Sequence, residues 1–249
     1  MKTTRKIVAI GGGELKMLET ADIDKRIIEL TGETRPKALF IPTASGDADG
    51  YMDTFETCYG NHFGCQTRTL NLIQSPPAFE KMATLVLDSD LIYVGGGNTY
   101  RMMKIWRRLG LDTVLAEAAS RGIVLSGLSA GAICWFKYGC SDSRSFSDNA
   151  EWDYIRVSGL GFINAVYCPH YHSEKREVAF SKMIEKRGGI GIACDNNAAI
   201  EIVGNRYRVL TSTPTAKAYK LFKRSGHTIV SELPQDSEYL PLDDLLKRR

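Results

Sequence analysis

The stretch Arg-Gly-Ile-Val-Leu-Ser-Gly-Leu-Ser-Ala-Gly-Ala-Ile-Cys-Trp, residues 121–135, decides how this chain is interpreted. Strand-like residues lead into Gly-Leu-Ser-Ala-Gly at 127–131, and a helix-like segment follows at once. An ordinary turn needs one or two glycines. The G-x-S-x-G spacing is typical of a tighter strand-to-helix corner, at which small neighbours let a serine hydroxyl stand clear of the backbone. The stretch therefore predicts an exposed, reactive Ser129.

The segments on either side of this corner predict the fold class. The first two-thirds of the chain alternates short β-branched runs, at 6–10, 38–42, 67–72, 91–94 and 123–125, with helical patterns. Asn98 is placed to cap a helix, and residues 111–119 predict another. This alternation predicts an α/β fold, a doubly wound, mostly parallel sheet with helices on both faces.

The last third of the chain departs from this alternation and is predicted to consist mainly of strands and hairpins. After a polar loop at 141–153, a strand is predicted to end at His170 and another at 189–194. Alternating apolar and polar residues around Gly204-Asn205 predict a C-terminal β-hairpin, and a second is expected around Ser225-Gly226. Without a repeat or a linker in the sequence, a single domain over residues 1–249 is the simplest expectation.

The composition of the chain argues against several classes of function. The 249 residues are 43% hydrophobic and 24% charged, which is ordinary for a globular protein, and the net charge of +3 gives no argument for a nucleic-acid partner. No apolar stretch has the length of a signal peptide core or a membrane span. The six cysteines lack a C-x-x-C pair, so we expect buried thiols in a reducing cytoplasm and no metal site.

A nucleophilic serine needs a base and a group that orients the base. His170 follows a proline at a predicted strand end and is the preferred base, with His172 second. Asp195 ends the next strand and is the preferred acid, with Glu201 the runner-up. In a doubly wound sheet such strand ends meet at the carboxyl edge, so the sequence predicts a Ser129–His170–Asp195 site.

An oxyanion would need backbone N–H donors close to Ser129. The N–H of Ala130 is one candidate, and Gly97 or Asn98 in the glycine-rich segment at 95–98 is the other. A nucleotide-binding interpretation of the glycines at 11–13 is disfavoured, because the G-x-G-x-x-G spacing is missing and the chain has no Walker A sequence.

Four motifs together resemble a known family. They are GGGN at 95–98, GLSAGA at 127–132, the Pro-His pair at 169–170 and the acidic strand end at 195. In order and spacing they are similar to peptidase E, the α-aspartyl dipeptidase family, whose relatives include cyanophycinase. The resemblance extends roughly from Ile7 to Leu210.

The resemblance implies a fold like that of the class I glutamine amidotransferases, and no metal or cofactor. By position it implies that Ser129 is the nucleophile, that His170 is the base and that Gly97 and Asn98 form the oxyanion segment. The family has a glutamate at the strand end where this chain has Asp195.

The resemblance also implies an activity. It predicts a serine-type peptidase that cleaves short peptides, such as dipeptides with an N-terminal aspartate, and Arg176 falls near the family's specificity arginine. A guanidinium binds a carboxylate through two parallel hydrogen bonds, which suits that role. The alternatives are a non-catalytic protein that binds peptides or small molecules on the same fold, and a cyanophycinase-like hydrolase of aspartyl-arginine peptides.

Overall fold

Ser129 follows a central strand of an eight-stranded sheet. The computed structural model describes residues 4–146, 152–235 and 238–248. The strands, numbered along the chain, are β1 Lys6–Ile10, β2 Lys37–Ile41, β3 Gln66–Thr69, β4 Leu91–Val94, β5 Val124–Leu128, β6 Phe136–Ser141, β7 Ile155–Ser158, β8 Ile163–Cys168, β9 Ile190–Cys194, β10 Ala198–Val203, β11 Arg206–Thr211, β12 Ala218–Arg224, β13 His227–Glu232 and β14 Leu240–Pro241. The first sheet has the order β3-β2-β4-β5-β1-β10-β11-β14.

Five strands of the first sheet form the parallel part that the sequence predicted. β1 pairs in parallel with β5, β5 with β4, β4 with β2 and β2 with β3. β10 then pairs antiparallel with the free side of β1, and β11 and β14 continue in that manner. The carboxyl ends of β1 and β5 therefore lie side by side in the middle of the sheet.

Helices cover both faces of this sheet. They are α1 Ala21–Glu29, α2 Asp49–Phe55, α3 Phe79–Leu87, α4 Thr99–Leu109, α5 Leu111–Arg121, α6 Ala130–Ile133 and α8 Leu242–Leu246, whereas α7 Glu177–Arg187 packs on the second sheet described below. The side chains of β1 alternate: Val8 and Ile10 pack with α1 and α2 on one face, whereas Ile7 and Ala9 pack with α3, α4 and α5 on the other. Within the described ranges, none of the helices has the length and apolar content needed to cross a membrane.

A second sheet, which the sequence analysis did not predict, packs into the same core as α3, α4 and α5. Its order is β7-β6-β8-β9-β12-β13, with β6, β8 and β9 parallel. Tyr167 and Ile192 of this sheet belong to the same buried cluster as Ile7 and Ala9 of the first sheet. α7 covers the other face through Phe180 and Ile184.

The structure confirms several of the remaining local predictions. The hairpins around Gly204 and Ser225 are confirmed as β10–β11 and β12–β13, and Asn98 caps α4 by accepting a hydrogen bond from the Arg101 N–H. The polar loop predicted at 141–153 begins with the last residue of β6 and a short 3₁₀ turn at Ser143–Phe146, and its residues 147–151 lie outside the described part of the chain. All six cysteines are buried, as expected.

Glu201, the runner-up acid, lies in a buried ion cluster. Its side chain is 0% exposed, and its carboxylate accepts hydrogen bonds from Arg26 Nη2 at 3.1 Å, from Arg208 Nε at 2.8 Å and from the Tyr239 hydroxyl. Although burial opposes the charged form, these three donors hold the pKa of the Glu201 carboxyl below its usual value. The cluster ties α1, β10 and β11 together, so Glu201 has a structural role.

We predict that Glu201→Gln lowers the free energy of unfolding by about 3 kcal/mol at pH 7, because it leaves two guanidinium groups without their buried counter-charge. The carboxyl has a lowered pKa in the folded state, so its contribution is present at neutral pH and is lost as the pH falls below about 4. Urea denaturation at pH 7 and pH 3.5 measures both effects. The exposed Glu33→Gln is the matched control, and an equal loss in both variants would contradict the prediction.

Candidate active site

Ser129 sits on a strained corner between β5 and α6. Its backbone has φ 57° and ψ −113°, a conformation that a residue other than glycine rarely adopts. The Ser129 N–H donates to the Ile10 carbonyl of β1 at 3.1 Å, and the side chain does not cap α6. Gly131 allows the tight turn, since a Cβ there would lie 2.0 Å from the Val94 carbonyl oxygen. Ser129 is half-exposed in an otherwise buried segment, so its hydroxyl is accessible.

His170 is held next to the same end of β1. It lies two residues beyond β8 with φ 50°, and its N–H donates to the Gly11 carbonyl at 3.1 Å. The His170 ring packs against Gly12, where a Cβ would lie 2.3 Å from Nδ1. Ser129 and His170 thus bind successive backbone carbonyls at the end of one strand.

Asn196 fixes the protonation of the His170 ring. Asn196 Oδ1 lies 2.7 Å from His170 Nδ1 and also accepts a hydrogen bond from the Ser173 hydroxyl at 3.1 Å. Because a carbonyl oxygen only accepts, Nδ1 carries the proton and Nε2 keeps the lone pair. The ring is 16% exposed, and burial lowers the pKa of His170 below its ordinary value. A neutral imidazole with a free Nε2 is suited to accept a proton.

Asp195 contacts the other histidine. Its Oδ1 lies 2.7 Å from His172 Nδ1, and its Oδ2 accepts from the Lys217 N–H at 3.2 Å. From the sequence, this carboxylate was predicted to contact His170. The turn after β9 instead directs the side chains of residues 195 and 196 to different histidines, so the amide of Asn196 occupies the expected place of the acid. Asn196 was missed because an asparagine in a turn carries no distinguishing signal.

The oxyanion candidates differ in what their N–H groups bind. The Asn98 N–H donates to the Ala44 carbonyl at 2.8 Å, and the Asn98 side chain caps α4, so Asn98 has no free backbone donor. Among the described residues, the N–H groups of Gly97 and Ala130 have no hydrogen-bond partner. Gly96 places this segment against the corner, since a Cβ there would lie 3.4 Å from Ser129 Cβ. Gly97 and Ala130 are therefore the available donors.

Arg176 does not reach the site as expected. Its side chain is 1% exposed and donates to the Cys140 carbonyl at 3.1 Å, to Asp142 at 3.3 Å and to Glu174. The guanidinium also lies over the Tyr154 ring. The expectation of a substrate-binding arginine is therefore corrected: these partners already occupy the donors, and Arg176 joins β6 to the segment that follows His170.

Across residues 4–146, 152–235 and 238–248, no group of three or more His, Cys, Asp and Glu side chains is arranged to hold a metal ion.

The sequence of this chain is similar to the sequences of several peptidases. The sequence model of peptidase family S51 matches residues 7–210. An uncharacterised peptidase of Bacillus subtilis strain 168, YgaJ, is 33% identical over 240 residues, which cover 95% of this chain and 99% of the relative. Peptidase E of Salmonella arizonae is 32% identical over 141 residues, which cover 55% of this chain and 56% of the relative.

Solved structures show the same fold. A peptidase from an acI-B1 Actinobacterium superposes with a TM-score of 0.71 at 21% identity, covering 97% of both chains. A protein from Listeria monocytogenes EGD-e, described as a putative peptidase E, superposes with a TM-score of 0.64 at 20% identity, covering 84% of this chain and 99% of that chain.

We predict that His170 titrates below the value of about 6.5 that is usual for histidine. Replacing its amide partner with a carboxylate, in Asn196→Asp, raises the midpoint by about one pH unit or more, since a negative charge beside Nδ1 stabilises the imidazolium. Imidazole NMR of the two proteins measures the shift. Asp195→Asn is the control and leaves the His170 midpoint in place. A shift in Asp195→Asn and none in Asn196→Asp would show that the acid, not the amide, governs His170.

Proposed function

Because the chain belongs to peptidase family S51, it is a peptidase, and we propose that it cleaves short peptides with Ser129 as the nucleophile and His170 as the general base. One observation carries the proposal. The strained Ser129 corner and the half-buried, singly protonated His170 both donate their backbone N–H groups to consecutive carbonyls at the end of β1.

The proposed reaction begins with proton transfer. His170 Nε2 accepts the proton of the Ser129 hydroxyl as the Oγ attacks the scissile carbonyl carbon. The N–H groups of Gly97 and Ala130 donate to the oxygen that becomes negative. His170 then returns its proton to the leaving amine, and water, deprotonated by the same imidazole, hydrolyses the acyl-enzyme.

The third member of the proposed site is an amide rather than an acid. Asn196 orients the ring and sets its tautomer, but it carries no charge to stabilise the imidazolium. The nearest carboxylate to Nδ1 in this arrangement is that of Glu174, whose Oε1 lies 3.9 Å away and which also pairs with Arg176. Glu174 is therefore proposed to supply the long-range negative charge.

We predict that Ser129→Ala abolishes hydrolysis of short peptides, with a loss on the order of 10⁴-fold in kcat, as is typical when a catalytic serine is removed. His170→Ala loses nearly as much, and the double variant loses little more, because the two residues act as a unit. A fluorophosphonate probe labels Ser129 in the parent and not in Ser129→Ala. Retained turnover in Ser129→Ala would exclude the mechanism, and an unlabelled parent would favour a non-catalytic binding protein.

The resemblance implies a preference for an N-terminal aspartate, with Arg176 as the cation that binds its carboxylate. In the structure Arg176 is paired with other carboxylates and does not offer that cation. Two carboxylates, of Asp142 and Glu174, already share this guanidinium, so the local charge is negative and disfavours a third carboxylate. We therefore predict that Asp-Leu is cleaved no faster than the isosteric Asn-Leu. Steady-state kcat/KM for these peptides and for Leu-Leu measures the preference. A preference for Asp-Leu of about ten-fold or more would restore the aspartyl dipeptidase assignment.

A further inference from the structure

The free N–H group of Gly97 lies between two N–H groups that are held. The Gly96 N–H donates to the Tyr51 hydroxyl at 3.3 Å, and the Asn98 N–H donates to a backbone carbonyl. Each of these bonds fixes one peptide plane, because the atoms of a peptide unit lie close to a plane. The plane that carries the Gly97 N–H is the one between them, so its direction depends on how the two neighbouring planes are held.

The glycines at 95–97 make this outside support necessary. Gly97 has φ 132°, and a Cβ there would lie 2.3 Å from the Ala44 carbonyl oxygen, so the position requires glycine. Three consecutive glycines also have more backbone freedom than other residues, and their peptide planes turn easily. Donors to a developing oxyanion are effective when their direction is fixed before the reaction. Hydrogen bonds from other segments must therefore hold this one.

Tyr51, in the first turn of α2, packs directly on the segment. A Cβ at Gly95 would lie 2.8 Å from Tyr51 Cε1, and the tyrosine ring meets the Phe40 ring edge-on with the centroids 5.0 Å apart. Burial raises the pKa of the Tyr51 hydroxyl to about 12, so the group that accepts from the Gly96 N–H is an uncharged hydroxyl at neutral pH. The ring thus covers the segment while its oxygen binds it.

The start of α2 is itself anchored by Asp47. This side chain is buried, and its Oδ2 accepts from the Leu72 and Ile73 N–H groups at 2.8 and 2.7 Å. These bonds join the chain ahead of α2 to the segment that follows β3. Tyr51 therefore reaches the glycines from a helix whose start is tied to the sheet.

Gly96 lies between Tyr51 and the proposed nucleophile. Its N–H binds the tyrosine, and a Cβ on it would lie 3.4 Å from Ser129 Cβ, which is van der Waals contact. A displacement of Gly96 would therefore change the distance between the Gly97 N–H and the carbonyl oxygen of a peptide held at Ser129.

We propose that Tyr51 is a positioning residue of the oxyanion site: by accepting the Gly96 N–H, its hydroxyl fixes the backbone so that the Gly97 N–H points at the oxygen that becomes negative. This inference rests on the proposed function, in which Gly97 stabilises that oxygen. Tyr51 acts through Gly96 in this role and does not itself contact the peptide.

Tyr51→Phe tests the proposal, because it removes one oxygen and keeps the ring against Gly95. We expect kcat for Leu-Leu to fall on the order of ten-fold with KM within about two-fold of the parent, since a misdirected donor matters most in the transition state. A peptide boronic acid, which forms a tetrahedral adduct on a catalytic serine, should lose affinity by about the same factor as kcat.

Tyr93→Phe is the matched control. The Tyr93 ring also packs against Phe40, with the centroids 6.2 Å apart, but its hydroxyl is buried without a hydrogen-bond partner in the described part of the chain. Removing it takes the same oxygen from the same aromatic cluster and breaks no bond to the glycines. Its kcat, KM and boronic-acid affinity should therefore equal those of the parent.

Amide NMR measures the bond without turnover. In Tyr51→Phe the Gly96 N–H should exchange with solvent on the order of ten-fold faster and the Gly97 amide resonance should shift, whereas Tyr93→Phe should leave both unchanged. Faster exchange in Tyr51→Phe alone, together with the fall in kcat at constant KM, would support the proposal.

Three results would overturn it. They are an unchanged kcat and boronic-acid affinity in Tyr51→Phe, an equal fall in both variants, which would indicate a general packing role, and a loss confined to KM. If the parent hydrolyses no peptide and binds no boronic acid, the proposed function fails. In that case the amide exchange still decides whether the Tyr51 hydroxyl holds the backbone at Gly96 and Gly97.

Discussion

The absence of side chains at the carboxyl end of β1 is the constraint on which the site depends. Its carbonyls receive three segments: Ile10 accepts from the Ser129 N–H, Gly11 from the His170 N–H and Gly12 from the Asn197 N–H, at 2.8 to 3.1 Å. A Cβ at Gly11 would lie 2.2 Å from the Asp195 carbonyl oxygen, and one at Gly12 2.2 Å from Asn196 Oδ1. One strand end thus receives the segments that carry Ser129, His170 and Asn196, although these segments come from both sheets.

The electrostatics of the site follow from that packing. Because the His170 ring is enclosed and its partner is an uncharged amide, the imidazole stays neutral and keeps a lone pair on Nε2. An acid in place of Asn196 would stabilise the imidazolium and also raise the pKa of the resting base. With Asn196 as the partner, His170 stays neutral to lower pH, and within the described residues the carboxylate that lies within 4 Å of Nδ1 is that of Glu174, at 3.9 Å. The arrangement therefore favours the neutral form of the His170 imidazole over its protonated form.

The sequence predicted what local patterns determine and missed what distant contacts determine. The Ser129 corner, the parallel strands and the Asn98 cap are local, and the structure has each of them. The burial of Arg176 depends on Cys140 and Asp142, more than thirty residues away, which spacing from His170 does not reveal. The second sheet was missed because β6 carries Gly139 and Lys137, which interrupt an apolar pattern. The sequence could not show whether Asp195 or Asn196 contacts His170, since the side chains of neighbouring residues in a turn point to different sides.

The register of β10 against β1 determines that Asn196, and not Asp195, contacts His170. Glu201 lies opposite Val8, and the same register brings the turn at 195–197 to the end of β1, where Asn197 binds the Gly12 carbonyl. A slip of one residue would move Asn196 away from His170 and would also turn Glu201 from its buried cluster toward the opposite face of the sheet. A buried carboxylate that loses Arg26, Arg208 and Tyr239 is strongly unfavourable. The ion cluster therefore penalises a one-residue slip, and through the register it favours Asn196 as the residue that orients the proposed catalytic base.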